Sequence, residues 1–169
     1  MAEKDVRTGV EGFTDNKAEE IRRIPKREKV SDAEREEYVK EQRVLERIMQ
    51  EFPRTLPNAL DTVMKEYDIQ NKELADDSDV NEKTIDRIRT KYGYKPKLPT
   101  MIQLCIGLRV PTIICLALIE VSGYHLQFYG VELAYYYILT KKIGCTLYDC
   151  NQYLKDLGYP QLGASYKVA

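Results

Sequence analysis

Histidine is almost missing from this chain: His125 is the only one in 169 residues. Its scarcity removes the side chain most used as a general base near neutral pH and as a metal ligand. Cysteine is sparse as well. Cys105, Cys115, Cys145 and Cys150 form no CxxC pair, so neither a zinc site nor a disulfide framework is indicated, and all four read as buried thiols. There is no Gly-rich phosphate loop and no Ser or Cys nucleophile with a recognisable base, which argues against an enzyme and against a bound cofactor. His125 follows Gly123 closely and reads as a surface or cap residue. The acidic side chains fall on solvated helix faces rather than in apolar surroundings that tune a pKa. The longest apolar run, Val110 to Ile119, falls short of the roughly 20 residues that a bilayer requires. No secretory signal opens the chain, so the expectation is a soluble, cytoplasmic protein without membrane contact. Charge of one sign is also lacking, with 26 basic against 27 acidic residues. Any affinity for nucleic acid must therefore come from local asymmetry.

The chain does contain 43% hydrophobic residues, enough to fill the core of one compact domain with appendages. Its most informative stretch is residues 70 to 97. Leu74 and Ala75 give a first short helix an apolar and a small side chain, and Ala75 leaves room for a crossing helix. Ser78 and Asp79 end that helix, with Asp79 at a position that needs positive φ, which Asp tolerates better than most residues. Val80 is an apolar plug, Asn81 an N-cap, and Ile85 and Ile88 recur on the inner face of a second helix. Glu82, Lys83, Asp86, Arg87 and Arg89 are left outside. Charge switches sign across this stretch. Residues 83 to 97 hold Lys83, Arg87, Arg89, Lys91, Lys95 and Lys97 against Asp86, whereas residues 70 to 82 hold Lys72 against five acids.

Around this stretch the chain reads as helical from Ser31 onward. Residues 1 to 30 form a charged arm in which Arg22, Arg23, Lys26, Arg27 and Lys29 alternate with acids; its composition predicts disorder. Ser31 and Glu34 make a capping box for an amphipathic helix running to Phe52, where Pro53 stops it, with Tyr38, Val44, Leu45, Ile48, Met49 and Phe52 on one stripe. That stripe suits either packing on its own domain or a protein partner. Residues 56 to 67 give a helix with Leu60, Val63, Met64 and Tyr67 inward. Two helices follow at 99 to 108 and 111 to 121, with Pro111 suited to a first turn and Gly123 to a helix end. The second is apolar on nearly every side and needs cover from the C-terminal segment or another subunit. A C-terminal pair is expected at 129 to 142 and 147 to 157, with Gly144 and Gly158 at the ends and Thr146 and Asp149 capping the last helix. Leu133, Tyr136, Tyr137 and Leu139 are expected to cover the 111 to 121 helix. The Tyr135 to Tyr137 run reads as core and rim.

The segment ELADDSDVNEKTIDRI followed by KYGYKPKLPTMIQLCIGLRVP resembles the lambda repressor-like (Cro/XRE) helix-turn-helix regulators, over roughly residues 56 to 120. Two positions depart from the family pattern: Asp79, where glycine is usual, and Arg89, where Glu is frequent. The resemblance implies an all-α fold with a five-helix domain at 54 to 123, preceded by the amphipathic helix at 31 to 53 and followed by a helical extension at 124 to 169. It places Leu74, Ala75, Val80, Ile85 and Ile88 in the core. It also implies a transcriptional regulator or repressor of bacterial or mobile-element type, acting on double-stranded DNA and commonly as a homodimer. The helix from Asn81 to about Lys91 would enter the major groove, with Lys83, Thr84, Asp86 and Arg87 reading bases. Gln70, Asn71, Arg89, Tyr94, Lys95 and Lys97 would hold the phosphate backbone, while Tyr92 continues the 85, 88 spacing and is expected to pack. The competing expectation is an interaction module, an adaptor, antitoxin or immunity-type partner, in which Glu82 and Asp86 discourage DNA. Its protein partner would meet helix 31 to 52 or the C-terminal helices.

Overall fold

A computed structural model describes residues 25–141 and 145–165. Among these residues the chain is all-helical, with eight helices and no strand. Most of the expected charged arm, residues 1–24, lies outside them, and residues 25–31 are exposed and not helical. The chain divides after Leu45 into two units, and the division falls inside the first helix, α1 (Asp32–Gln50).

α1 starts where its capping box is written. The Ser31 hydroxyl accepts from the Glu34 amide at 3.3 Å, and the Glu34 carboxylate accepts from the Ser31 amide at 3.0 Å. These two bonds satisfy orphan donors of the first turn. No residue of α1 is buried, and Tyr38, Val39 and Val44 are exposed.

The unit from Glu46 onward holds the remaining helices: α2 (Leu56–Glu66), α3 (Asn71–Ser78), α4 (Glu82–Thr90), α5 (Leu98–Leu108), α6 (Thr112–Val121), α7 (Gly130–Lys141) and α8 (Leu147–Asp156). α2 opens with Pro57 in its first turn, where a missing N–H costs nothing, and buries Leu60, Val63 and Met64. Tyr67 departs from the expected inward face. It lies beyond the helix as its C-cap and is exposed.

α5 is the centre of the unit, with all eight residues from Met101 to Leu108 buried. It approaches α3 closely, because a Cβ on Gly107 would stand 2.8 Å from Ser78 Cβ and 3.0 Å from its amide nitrogen. The crossing therefore rests on Gly107 and buried Ser78. Gln103 adds a polar tie, donating to the Ser78 carbonyl at 2.9 Å.

α6 begins at Thr112 with Pro111 as its N-cap rather than inside its first turn. Ile114, Cys115, Leu118 and Ile119 are buried, but Ile113 is 49% exposed. Cover comes from α2 and α5 as well as from α7, whose Leu139 carbonyl accepts from the Thr112 hydroxyl at 2.7 Å. The face that α7 turns inward is Ala134, Tyr135, Ile138 and Leu139; Leu133 and Tyr137, expected there, are exposed. Tyr137 instead stacks on Tyr153, with ring centroids 5.6 Å apart.

α8 starts with the predicted capping box, Thr146 and Asp149 exchanging backbone and side-chain bonds. Gly144 lies outside the described residues; Gly158 has φ +74, the left-handed conformation that suits glycine at a helix end. Asn151 is fully buried, and its amide clamps the Leu162 backbone, donating at 2.9 Å and accepting at 2.7 Å. Cys105, Cys115 and Cys150 are buried as expected, but Cys145 is only half-buried. Contact with Cys115, and then burial, holds the Cys105 thiol well above its ordinary value. No helix among the described residues is long and apolar enough to cross a membrane.

Candidate functional site

α3 and α4 are joined by Asp79, Val80 and Asn81. Asp79 takes φ 53 and ψ 30, the left-handed conformation expected of it. Ser78 stiffens the bend from inside: its hydroxyl donates to the Leu74 carbonyl at 2.5 Å and accepts from the Val80 amide at 3.3 Å. Val80 is buried, and the Asn81 side chain caps α4 by accepting from the Lys83 amide at 2.9 Å. The start of α4 is thus fixed on three sides by short-range chemistry.

The faces of α4 separate cleanly. Ile85 and Ile88 are fully buried, Thr84 is half-buried, and Glu82, Lys83, Asp86 and Arg87 are exposed. The side chains of Lys83 and Asp86 have no ion pair or hydrogen bond among the described residues. The Arg87 guanidinium lies 5.4 Å from the Tyr94 ring centroid. That stacking holds the arginine against the loop after α4 while its edge N–H groups remain in water.

Arg89 is placed differently. It donates to Asn71 Oδ1 at 2.6 Å and pairs with Asp61, whose second oxygen meets Lys65 at 2.6 Å. Lys65, then Arg89, hold the Asp61 carboxyl below the ordinary aspartate value, against a smaller opposing effect of burial. These bonds tie α4 to α2 and α3, so the guanidinium of Arg89 is engaged internally, with its Nε buried and without a partner. Asn71 is half-buried, and because Arg89 occupies its carbonyl oxygen, its NH2 is the group left to donate outward. Gln70 is exposed at the N-cap of α3 without a capping bond from its side chain.

The loop after α4 carries the remaining cations. Tyr92, expected to pack, is 64% exposed and donates to Asn58 Oδ1 at 2.7 Å. Tyr94 is the half-buried one of the two tyrosines. Lys95 Nζ sits 4.4 Å from the Tyr124 ring centroid, and the Tyr124 hydroxyl donates to the Pro96 carbonyl at 3.0 Å. Lys91 and Lys97 are exposed, Lys97 at the N-cap of α5. Lys83, Arg87, Lys91, Lys95 and Lys97 thus belong to one helix and the loop that follows it.

Two participants had little sequence signal. Arg109 ends α5 with φ 52 and pairs with Asp77, and more distantly with Glu73, so two acids of the 70 to 82 stretch share one cation. The C-terminal segment reaches the α3–α4 turn: Ser165 donates to the Asp79 carboxylate from its amide at 3.0 Å and from its hydroxyl at 2.7 Å. His125 is exposed, and no group of three or more His, Cys, Asp or Glu side chains among the described residues is arranged to hold a metal ion. Compared with protein-family models, with curated proteins and with solved structures, the chain matches none of them.

Proposed function

We propose that this protein is a sequence-specific double-stranded DNA-binding transcriptional regulator with a lambda repressor-like helix-turn-helix domain, whose helix α4 enters the major groove. One observation carries this reading: α4 is locked from beneath by Ile85 and Ile88 while Lys83, Asp86 and Arg87 project from the opposite side, next to a loop rich in lysine. An outward Arg grips guanine through two hydrogen bonds, and an outward Asp accepts from cytosine. Thr84, half-buried, lies near enough to the exposed face for a thymine methyl. Gln70, the NH2 of Asn71, Tyr94, Lys95 and Lys97 are assigned to phosphate. Arg89 is assigned to holding α4 in place, since it bonds Asn71 and Asp61 within the fold. Dimer formation on two half-sites belongs to the same proposal.

A second reading, a protein-interaction module, draws on α1, which has no buried residue and exposes Tyr38, Val39 and Val44. The two are separated by exposing the protein to a randomised duplex library near physiological salt and sequencing what is retained. Nonspecific affinity there is only about 10⁻⁴ to 10⁻⁶ M, so an operator stands out. An enriched inverted repeat is the expected result; absence of any enriched sequence rejects the regulator and leaves the interaction module.

A further inference from the structure

A cavity of about 310 Å³ opens beside α6. Leu116, Ile119 and Leu126 give it apolar walls, and Tyr124, Phe128 and Tyr136 add three aromatic rings. Phe128 is 70% exposed, an unusual place for a phenyl ring, and packs edge-on against Tyr136 with centroids 5.3 Å apart. Glu120 is the residue of the lining that carries formal charge when His125 is neutral. Aromatic rings and a carboxylate favour positive charge in an apolar recess, offset on the Tyr124 side by Lys95 Nζ, 4.4 Å from that ring. Such a recess favours a cation with an apolar body and repels an anion of the same shape. We infer that this cavity binds a small organic amine, its apolar body among the rings and its ammonium group facing Glu120.

Tyr124 connects that site to the basic loop. The ring that lines the cavity also carries Lys95 Nζ, and its hydroxyl holds the Pro96 carbonyl. Lys95 additionally donates to the Gly123 carbonyl at 3.4 Å. A bound ammonium competes with Lys95 for the field of the same ring and so loosens the lysine towards solvent. If α4 and its loop hold DNA as proposed above, the amine then raises affinity for the duplex; only this consequence rests on that reading.

The test uses the full chain and three probes that share one apolar body, 2-phenylethylammonium, 2-phenylethanol and phenylacetate, titrated while amide and aromatic NMR signals are followed. Saturable shifts are expected for the ammonium at Phe128, Tyr136 and the Lys95 amide, with the alcohol about tenfold weaker and the acid not saturating. Glu120→Gln, at an exposed position, should clearly narrow the ammonium's advantage over the alcohol, with the other signals unmoved. Equal binding of the three probes, or an undiminished preference for the ammonium in E120Q, overturns the site. A saturated cavity with a motionless Lys95 amide overturns the connection to the loop. Duplex retention measured with and without the ammonium separates the two proposals: a protein that retains no duplex in either case fails as a DNA binder, while the amine site is judged by the titration alone.

Discussion

Arg89 illustrates how contacts within the fold escape a local pattern. Its place on the outer half of α4 and its charge were legible, and both pointed to phosphate. The partner it meets in the fold, Asp61, lies 28 residues earlier on α2, and no local pattern announces a pairing at that separation. Arg89→Ala removes two charge-assisted bonds and leaves Asp61 with only Lys65, so we expect a loss of about 2 kcal/mol in unfolding stability, measured by denaturant titration. A variant as stable as wild type would show that the network is not formed in solution. Asp61 also yields a pH signature. Its folded pKa is lowered from the ordinary 3.8, so the carboxylate binds fewer protons in the folded state, and its contribution is complete above that value and lost as pH falls towards the folded pKa. Asp61→Asn should therefore be less stable than wild type by a constant margin at neutral pH, with the gap closing below about pH 4. Lys65 is largely exposed and screened by solvent, so the margin should be small and should owe more to Arg89.

At the scale of elements, helix starts were legible because their chemistry is local. Ser31 with Glu34, Asn81, and Thr146 with Asp149 all cap the helices they were expected to cap, and Asp79 bends the chain as its tolerance of positive φ suggested. What the sequence left open was which face of an element is inward when apolar and aromatic residues surround it. α7 carries Leu133, Tyr135, Tyr136, Tyr137, Ile138 and Leu139, so periodicity does not choose a face, and packing against α6 turned Tyr135 inward and Tyr137 out. The α3–α5 crossing has a signal of its own, a lone glycine, Gly107, in the last turn of an apolar helix. Gly107→Ala sets two effects against each other. Helix propensity gains about 1 kcal/mol, and the new methyl would push on the Cβ and backbone of Ser78, neither of which is a flexible tip, at a cost of about 1 to 3 kcal/mol. Strain is expected to win, giving a lower thermal midpoint together with altered signals at Ser78 and Val80. A stabilised variant would mean that α3 and α5 stand further apart than the close approach requires.

The molecule as a whole has nearly balanced charge, and α4 with the loop that follows it exposes Lys83, Arg87, Lys91, Lys95 and Lys97 to solvent. A polycation binds DNA through many interchangeable phosphates, whereas this chain offers a short set, and the acids of α3 stand nearby, two of them held by Arg109. Salt dependence measures this difference, since each neutralised phosphate releases counterions and steepens log K against log salt by about 0.9. The two cations assigned to phosphate, Lys95 and Lys97, predict a slope of about −2 per protomer and about −4 for a dimer. The lysines are not equivalent within that sum. Lys97 is exposed with no side-chain partner among the described residues, whereas Lys95 rests on the Tyr124 ring and the Gly123 carbonyl. Leaving that seat costs Lys95 part of what a phosphate returns. Lys97→Gln should therefore flatten the slope by about 1 per protomer across unrelated sequences, and Lys95→Gln by visibly less. Arg87→Ala should act in a third way, relaxing preference at one base position by about 1 to 3 kcal/mol through the loss of a paired contact. Equal slope changes for the two lysines would mean that Lys95 leaves Tyr124 freely when DNA arrives. A wild-type slope near zero would remove phosphate from the account of this surface altogether.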